Sequence, residues 1–279
     1  MTLSLILPAV GVLSGLGLLF GILLAYASRR FEVEVDPRTR EIMKALPGLN
    51  CAICGYTGCV SFADAVVAGE VDVTGCTAGG AEVAHRIAEI MGLEAPDVEP
   101  QKAYVQCGGG TKEVARRFEY VGYADCHLAN QVGGGPSACG YGCLGYGSCV
   151  PSCPYGLIKI NEDGLPDIFI EDCTGCGACV EACPRGVIAL LPERNTPFIA
   201  CISQDPGKVV RKACSVGCIA CNICERVCPQ EAIHMEGNLA VIDHEKCDGC
   251  GLCVEKCPTK CILTRQLAVM AAASQQQAV

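Results

Sequence analysis

The sequence predicts an α+β protein with one N-terminal transmembrane helix, a small helical four-cysteine domain and two tandem cysteine-rich modules. Three observations predict it. Residues 2–28 contain no charged side chain. Cys51, Cys54, Cys59 and Cys76 then stand in a C-x2-C-x4-C-x16-C spacing. Beyond them, C-x2-C-x2-C-x3-C-P runs recur, related by an internal repeat of about 75 residues.

The first 28 residues form the anchor. They are rich in Leu, Ile, Val and Gly and exceed the roughly 20 residues that cross a bilayer as a helix. A cleaved signal peptide is the competing reading, and Ala25-Tyr26-Ala27 resembles a cleavage site. Against it, no basic residue precedes the run, which outlasts an h-region of about 7–15 residues. Arg29, Arg30, Arg38, Arg40 and Lys44 follow, and no Lys or Arg comes before. The positive-inside rule therefore predicts a single pass through the cell inner membrane, with everything after the helix in the cytoplasm. That compartment is reducing and favours metal ligation over disulfides. Gly11 with Gly15 and Gly17 with Gly21 form small-xxx-small pairs, read either as a helix-packing surface or as ordinary membrane-helix glycine.

Cysteine dominates the rest of the chain, at 25 of 279 residues, with 33 glycines and no tryptophan. Disulfide frameworks scatter cysteines to staple loops; here most lie two or three residues apart, which suits convergence on a metal. The net charge of −9 excludes a nucleic-acid binder, which needs clustered Lys and Arg. The four-cysteine domain is expected over residues 29–92, with short helices at 63–69 and 81–91. Val83, Ile87 and Ile90 share one face of the second. Gly55 and Gly58 permit tight turns between ligands. A four-thiolate zinc site shares this spacing.

The later runs decide for iron. Cys173, Cys176, Cys179 and Cys183-Pro184 follow the bacterial ferredoxin pattern, as do Cys218, Cys221, Cys224 and Cys228-Pro229, and Cys247, Cys250, Cys253 and Cys257-Pro258. In that pattern three cysteines wrap one 4Fe–4S cluster and the fourth reaches across to its neighbour. Residues 93–102, marked by Pro96 and Pro100, read as a linker. Residues 103–193 and 194–265 read as tandem ferredoxin-like two-cluster modules, and 266–279 as a tail.

One run is altered. Cys139, Cys143, Cys149 and Cys153-Pro154 align with Cys214, Cys218, Cys224 and Cys228, but Tyr146 stands where the second copy has Cys221. Cys139 is the expected substitute. Five clusters result. One is held by Cys51, Cys54, Cys59 and Cys76, a second by Cys139, Cys143, Cys149 and Cys183, and a third by Cys173, Cys176, Cys179 and Cys153. Cys218, Cys221, Cys224 and Cys257 hold the fourth, and Cys247, Cys250, Cys253 and Cys228 the fifth. Cys107, Cys126, Cys201, Cys214 and Cys261 are left. They read as small buried hydrophobes, or the first four as one further metal site, since Cys126 and Cys201 are equivalent under the same shift. Strands are expected at 157–161, 167–170, 187–191, 233–235, 239–242 and 262–264, with helical turns after the third ligand of each run.

The absences narrow the chemistry. A G-x-G-x-x-G at Gly140, Gly142 and Gly145 is interrupted by Cys143 and lies outside any βαβ unit, so it is a cluster loop. Without a P-loop, carboxylate pair, Ser/His arrangement or flavin or nicotinamide fingerprint, the chain moves single electrons and makes no bonds. Two basic patches offer docking for an acidic donor: Lys112, Arg116 and Arg117 if 111–118 is helical, and Lys208, Arg211 and Lys212. The rival class is a membrane-bound structural or sensing scaffold stabilised by clusters or zinc.

Tyr26-Ala27-Ser28-Arg29-Arg30-Phe31, Leu46-Pro47, Cys51-x2-Cys54-Gly55-Tyr56-x-Gly58-Cys59, Tyr141-Gly142-Cys143-Leu144-Gly145 and Pro258-Thr259-Lys260-Cys261-Ile262 carry a resemblance over essentially the whole chain. The chain resembles the B subunits of Rnf complexes, which are ion-translocating ferredoxin:NAD oxidoreductases. It is similar to the long form with duplicated two-cluster repeats. The resemblance implies an electron-transfer subunit that accepts electrons from reduced ferredoxin. It relays them to the other Rnf subunits, which carry out Na+ or H+ translocation.

Overall fold

The computed structural model describes residues 3–31, 36–94, 99–194 and 197–264, with side chains from Val10 onward. Pro96 in the expected linker and the expected tail from residue 266 lie outside the described residues. Helix α1 (Leu3–Arg30) is continuous, and its stretch Val10–Arg30 has a mean hydropathy of 2.1 with no side chain packed on the rest of the protein. It is long and apolar enough to cross a membrane.

Three further helices build the four-cysteine domain: α2 (Pro37–Ala45), α3 (Cys59–Ala68) and α4 (Gly80–Met91). Asp36 starts α2 by accepting from the Arg38 N–H at 2.8 Å, with Pro37 pre-set for the first turn. Gly69 and Gly92, both left-handed, end α3 and α4. Ile42, Phe62, Val66 and Ile87 form the buried core. Val83 and Ile87 lie on the core side of α4 and Ile90 packs at its edge, as the periodicity predicts. Removing a core side chain this size would cost about 2–5 kcal/mol.

The remainder is a doubled unit of two-stranded ribbons and short helices. In the first half, β1 (Gln101–Val105) pairs antiparallel with β4 (Ile188–Pro192), and β2 (Ile158–Ile160) with β3 (Pro166–Ile168). Helices α5 (Cys126–Gln131) and α6 (Ala178–Glu181) lie between. In the second half, β5 (Phe198–Ile199) pairs with β8 (Ile262–Leu263) and β6 (Ile233–Glu236) with β7 (Leu239–Ile242). Helices α7 (Gly207–Ala213), α8 (Ile223–Val227) and α9 (Leu252–Lys256) complete it. The helical turns open one residue before the third ligand of each run rather than after it.

Two strands escape the sequence reading. β1 begins inside the expected linker, and β5 is only two residues long. They fix how the halves correspond: Val105 pairs with Ile188, and Ile199 pairs with the repeat equivalent, Ile262. Val105 therefore matches Ile199, and two residues on, Cys107 matches Cys201. The first half holds extra chain between this strand and Cys139, and that insertion carries α5. The 75-residue shift fails upstream of the insertion, so the expected equivalence of Cys126 and Cys201 is corrected.

Residues 111–118 are not a helix. Val114 bridges Cys214 and the Ala115 N–H donates to the Ala213 carbonyl, joining the halves, while Arg116 bridges Ser137 and the Arg117 N–H donates to the Pro136 carbonyl within the first half. Lys112 is paired with Asp163 at 2.7 Å. Arg117 donates to the carbonyls of Ser137 and Gly135 at 2.9 and 2.6 Å, clasping the loop before Cys139. The compact basic helix face expected there does not form. Lys208, Arg211 and Lys212 do share a helix, α7, and all are exposed.

Candidate metal centres

Cys51, Cys54, Cys59 and Cys76 line one cavity with Phe62 and Ala78. Asn50, at φ +48, accepts from the Cys59 N–H at 2.9 Å and so holds the start of α3 against the ligand loop. A Cβ at Gly58 would come within 2.9 Å of that Asn50 oxygen, which is why glycine stands there. Burial pushes the Cys76 thiol up, and the Cys54, Cys59 and Cys51 sulfurs add to it.

This cavity faces the first half directly. Tyr155 Oη donates to the Ala78 carbonyl at 2.6 Å, and Cys176 packs against the helical domain's core. Burial, then Cys173 and Cys153, raise Cys176, and burial with Cys173 and Cys176 pushes Cys179 up to about 12. Cys153 thus sits with Cys173, Cys176 and Cys179, in the crossed arrangement. The second half repeats it. Burial pushes Cys253 up to about 11, helped by Cys247 and Cys250, and Cys228 lies close enough to raise Cys247. Paired runs meet at their third ligands, Cys179 beside Cys149 and Cys253 beside Cys224. Matching backbone donors hold the crossing cysteines: Leu157 N–H to Cys153 Sγ and Ala232 N–H to Cys228 Sγ, both at 3.4 Å.

The altered run departs from expectation. Cys143, Cys149 and Cys183 share a cavity with Cys126, not Cys139. Burial pushes Cys143 up to about 12, with Cys107, Cys126 and Cys183 contributing, and Cys149 up to about 11, with Cys126 and Cys183 contributing. Asp125 caps α5 by accepting from Leu128 N–H at 3.0 Å and Ser148 Oγ at 2.8 Å. Ser148 Oγ in turn accepts from the Cys126 N–H at 2.8 Å. The insertion is thereby pinned next to Cys149, filling the place left by Tyr146.

Cys139 lies elsewhere. The Gly142 N–H donates to Cys139 Sγ and the Cys143 N–H to Cys107 Sγ, each at 3.3 Å. Burial pushes Cys107 up to about 11, and Cys139 and Cys201 are the sulfurs that add to it. Of the expected grouping of Cys107, Cys126, Cys201 and Cys214, Cys126 lies with Cys143 and Cys149 instead, and Cys139 stands with Cys107 and Cys201.

Cys218, Cys221, Cys224 and Cys257 line a cavity together with Cys261. Cys257 and Cys261 sulfurs are 3.7 Å apart. Hydrogen bonding from Cys261 pulls Cys218 down to about 6 and Cys257 down to about 5, while Cys261 itself is pushed far up. Cys261 thus faces two ligand sulfurs, those of Cys257 and Cys218. Val187 takes its place in the first half.

The donor sets fit iron–sulfur clusters. Thiols crowded in low dielectric resist ionisation unless a cationic centre accepts them. Among the described residues, no group of three or more Cys, His, Asp or Glu side chains is arranged for a single metal ion. One tetrahedral zinc, at about 2.3 Å per bond, would draw its sulfurs to within about 4 Å of each other.

Comparison with known proteins agrees with this chemistry. A family model described as a putative Fe–S cluster matches residues 46–78, and a 4Fe–4S dicluster domain matches 138–187. A second dicluster model matches 172–232, across the two halves, and a 4Fe–4S binding domain matches 240–263. The chain is 44% identical over 254 residues to the B subunit of a proton-translocating ferredoxin:NAD(+) oxidoreductase complex from Clostridium ljungdahlii, covering 90% of this chain and 89% of that one. It is 46% identical over 260 residues to the B subunit of the Na(+)-translocating complex of Acetobacterium woodii, covering 93% and 78%. It is 39% identical over 262 residues to the B subunit of an ion-translocating oxidoreductase complex from Methanosarcina acetivorans, covering 94% and 99%.

Proposed function

The chain belongs to the family of B subunits of ion-translocating ferredoxin:NAD(+) oxidoreductase complexes, and from that premise we propose how its residues carry electrons. It is an iron–sulfur electron-transfer subunit of such an oxidoreductase. When bound, 4Fe–4S clusters supply centres that take up and release one electron at a time. The residues that hold them are Cys51, Cys54, Cys59 and Cys76; Cys126, Cys143, Cys149 and Cys183; Cys153, Cys173, Cys176 and Cys179; Cys218, Cys221, Cys224 and Cys257; and Cys228, Cys247, Cys250 and Cys253.

The observation that carries the relay reading is contiguity. Tyr155 and Cys176 seat the helical domain's thiol set against the Cys173 set, and Cys149 and Cys179 join that set to the next. The chain's own contribution is to bury the thiols, which excludes water, and to aim backbone N–H groups at sulfur, which favours the thiolates. Reduced ferredoxin is the donor in this reading, and α1 anchors the subunit with its cysteine domains on the cytoplasmic side. The remaining subunits receive the electrons. The fused boundaries are 29–92 for the helical domain and 103–193 and 194–265 for the two modules, with β1 extending the first to Gln101.

Anaerobic metal analysis and reduction by ferredoxin test this. Iron in multiples of four per set, with cluster signals that appear on mixing with reduced ferredoxin, supports the relay. Zinc in place of iron would sink it in favour of a structural scaffold.

A further inference from the structure

The two halves meet where one residue touches its own equivalent. The Tyr104 and Phe198 rings, which occupy matching positions, lie with centroids 5.0 Å apart and planes tilted by 52°. Beside them the Gly108 N–H donates across the interface to the Ala200 carbonyl at 3.0 Å. Self-contact of this kind marks a two-fold axis, because only residues near such an axis meet their own copies.

Four cysteines outside the five sets lie beside this contact, Cys107 next to Gly108 and Cys201 next to Ala200. Cys107 matches Cys201 and Cys139 matches Cys214. The Cys143 N–H donates to Cys107 Sγ, and its equivalent, the Cys218 N–H, donates to Cys201 Sγ. A Cβ at Gly109 would sit 3.1 Å from Cys214 Sγ and 3.9 Å from Cys107 Sγ. Those two sulfurs are therefore no further apart than the two lengths laid end to end. A Cβ at Gly142 would sit 3.4 Å from Cys139 Sγ and 3.5 Å from Cys107 Sγ, which bounds that pair in the same way. The Cys139 sulfur is close enough to Cys201 and Cys214 to disfavour the ionisation of both. All four are unbridged thiols. At Gly109 a side chain would press on Val114 and the Cys214 sulfur, and glycine leaves that space open.

We infer that Cys107 and Cys139 from the first half, with Cys201 and Cys214 from the second, ligate a further iron–sulfur cluster seated on the axis between the halves. Two sulfurs from each side suit a cubic cluster, which has two-fold axes of its own. A single zinc ion would instead need all four sulfurs within about 4 Å of each other. The site's role rests on the relay reading, although its ligand set does not. Cys143 and Cys218, the first ligands of the neighbouring sets, each donate a backbone N–H to one of its sulfurs. The centre thus stands between the sets of the two halves.

The test uses the full chain, purified anaerobically in detergent, with iron, sulfide and zinc counted and clusters followed by EPR and Mössbauer spectroscopy. Wild type should hold about twenty-four irons, four for each of six centres. Cys107→Ser/Cys214→Ser, which removes one ligand from each half, should lose about four irons and keep the remaining signals. Cys126→Ser should lose a different, spectroscopically distinct four. Wild-type iron in the double variant would overturn the inference, as would loss of one zinc without iron. If the double variant loses far more iron through misfolding, Cys139→Ser decides. It should lose the same four irons or show a three-iron cluster signal, and unchanged iron and spectra would overturn the site. Zinc throughout the wild-type protein would instead refute the relay reading, so the two failures are distinguishable.

Discussion

Replacing Cys261 should lower the potential of one cluster without removing it. Cys261 is buried to 4% exposure and its sulfur lies 3.7 Å from that of Cys257, in the cavity shared with Cys218, Cys221 and Cys224. Donating to ligand sulfur, its thiol would stabilise negative charge at that centre. Reduction adds negative charge, and the bond strengthens as it does. A hydrogen bond to a charged group is worth about 1.5–3 kcal/mol. If about 1 kcal/mol of this is gained on reduction, the one-electron potential is raised by about 40 mV. Cys261→Val copies Val187, the residue at this position in the first half, and removes only the donor. EPR-monitored redox titration should show one of the clusters shifted down by about 20–60 mV at unchanged iron content. Loss of about four irons would mean that Cys261 is itself a ligand. An unshifted potential would mean that the contact carries no charge stabilisation, and Cys261→Ala would separate that result from repacking by the larger valine.

Further outcomes follow from the same structure. Cys126→Ala should abolish the cluster of Cys143, Cys149 and Cys183, whereas Asp125→Ala, which releases the cap on α5, should leave it bound but labile, losing iron faster to a chelator. Cys153→Ala should damage the cluster of Cys173, Cys176 and Cys179 more than that of Cys143 and Cys149, and Mössbauer spectra showing the reverse would refute the crossed arrangement. Replacing Lys208, Arg211 and Lys212 by Gln should slow stopped-flow reduction by ferredoxin and flatten its salt dependence at constant iron content. The equivalent change at Lys112, Arg116 and Arg117 should destabilise the fold, because Arg117 holds the loop before Cys139. Deleting residues before Arg29 should give a protein that stays in the soluble fraction with full iron content, and membrane retention without partner subunits would reveal a second anchoring surface.

The regular cysteine runs were legible in the sequence because cluster ligation is local. Three ligands within seven residues set their own loop, and the left-handed residues Gly175, Gly177, Gly249 and Gly251 recur at matching positions to turn it. The core of the helical domain was legible for the same reason, since Val83 and Ile87 announce their shared face by spacing alone. Cys126 was not legible, because its function depends on an insertion whose length hides the correspondence. Counting back from Cys139 by a constant shift pairs Cys126 with Cys201, while the strand register pairs Cys201 with Cys107. An aromatic residue three positions before each cysteine, Tyr104 and Phe198, was the only sequence signal for the correct pairing. A two-residue strand such as β5 gives no periodicity by which to find it.

The same insertion explains why the altered run exists at all. A chain that duplicates a two-cluster unit gains two copies of the thiols at Cys107 and Cys139. Once the copies dock about a two-fold axis, these surplus thiols face each other across the interface. Cys139 is then committed to the shared centre and is unavailable to replace the ligand missing at Tyr146. A new thiol had to come from elsewhere, and the inserted α5 delivers Cys126 to Cys149 with its own cap at Asp125 and a brace at Ser148. The two departures from the repeat are therefore one constraint: restoring a cysteine at position 146 should make Cys126 dispensable. Tyr146→Cys/Cys126→Ala should recover the four irons that Cys126→Ala loses. Failure to recover them, in a protein that keeps its other clusters, would show that the inserted helix has moved the loop beyond reach of the ancestral ligand position.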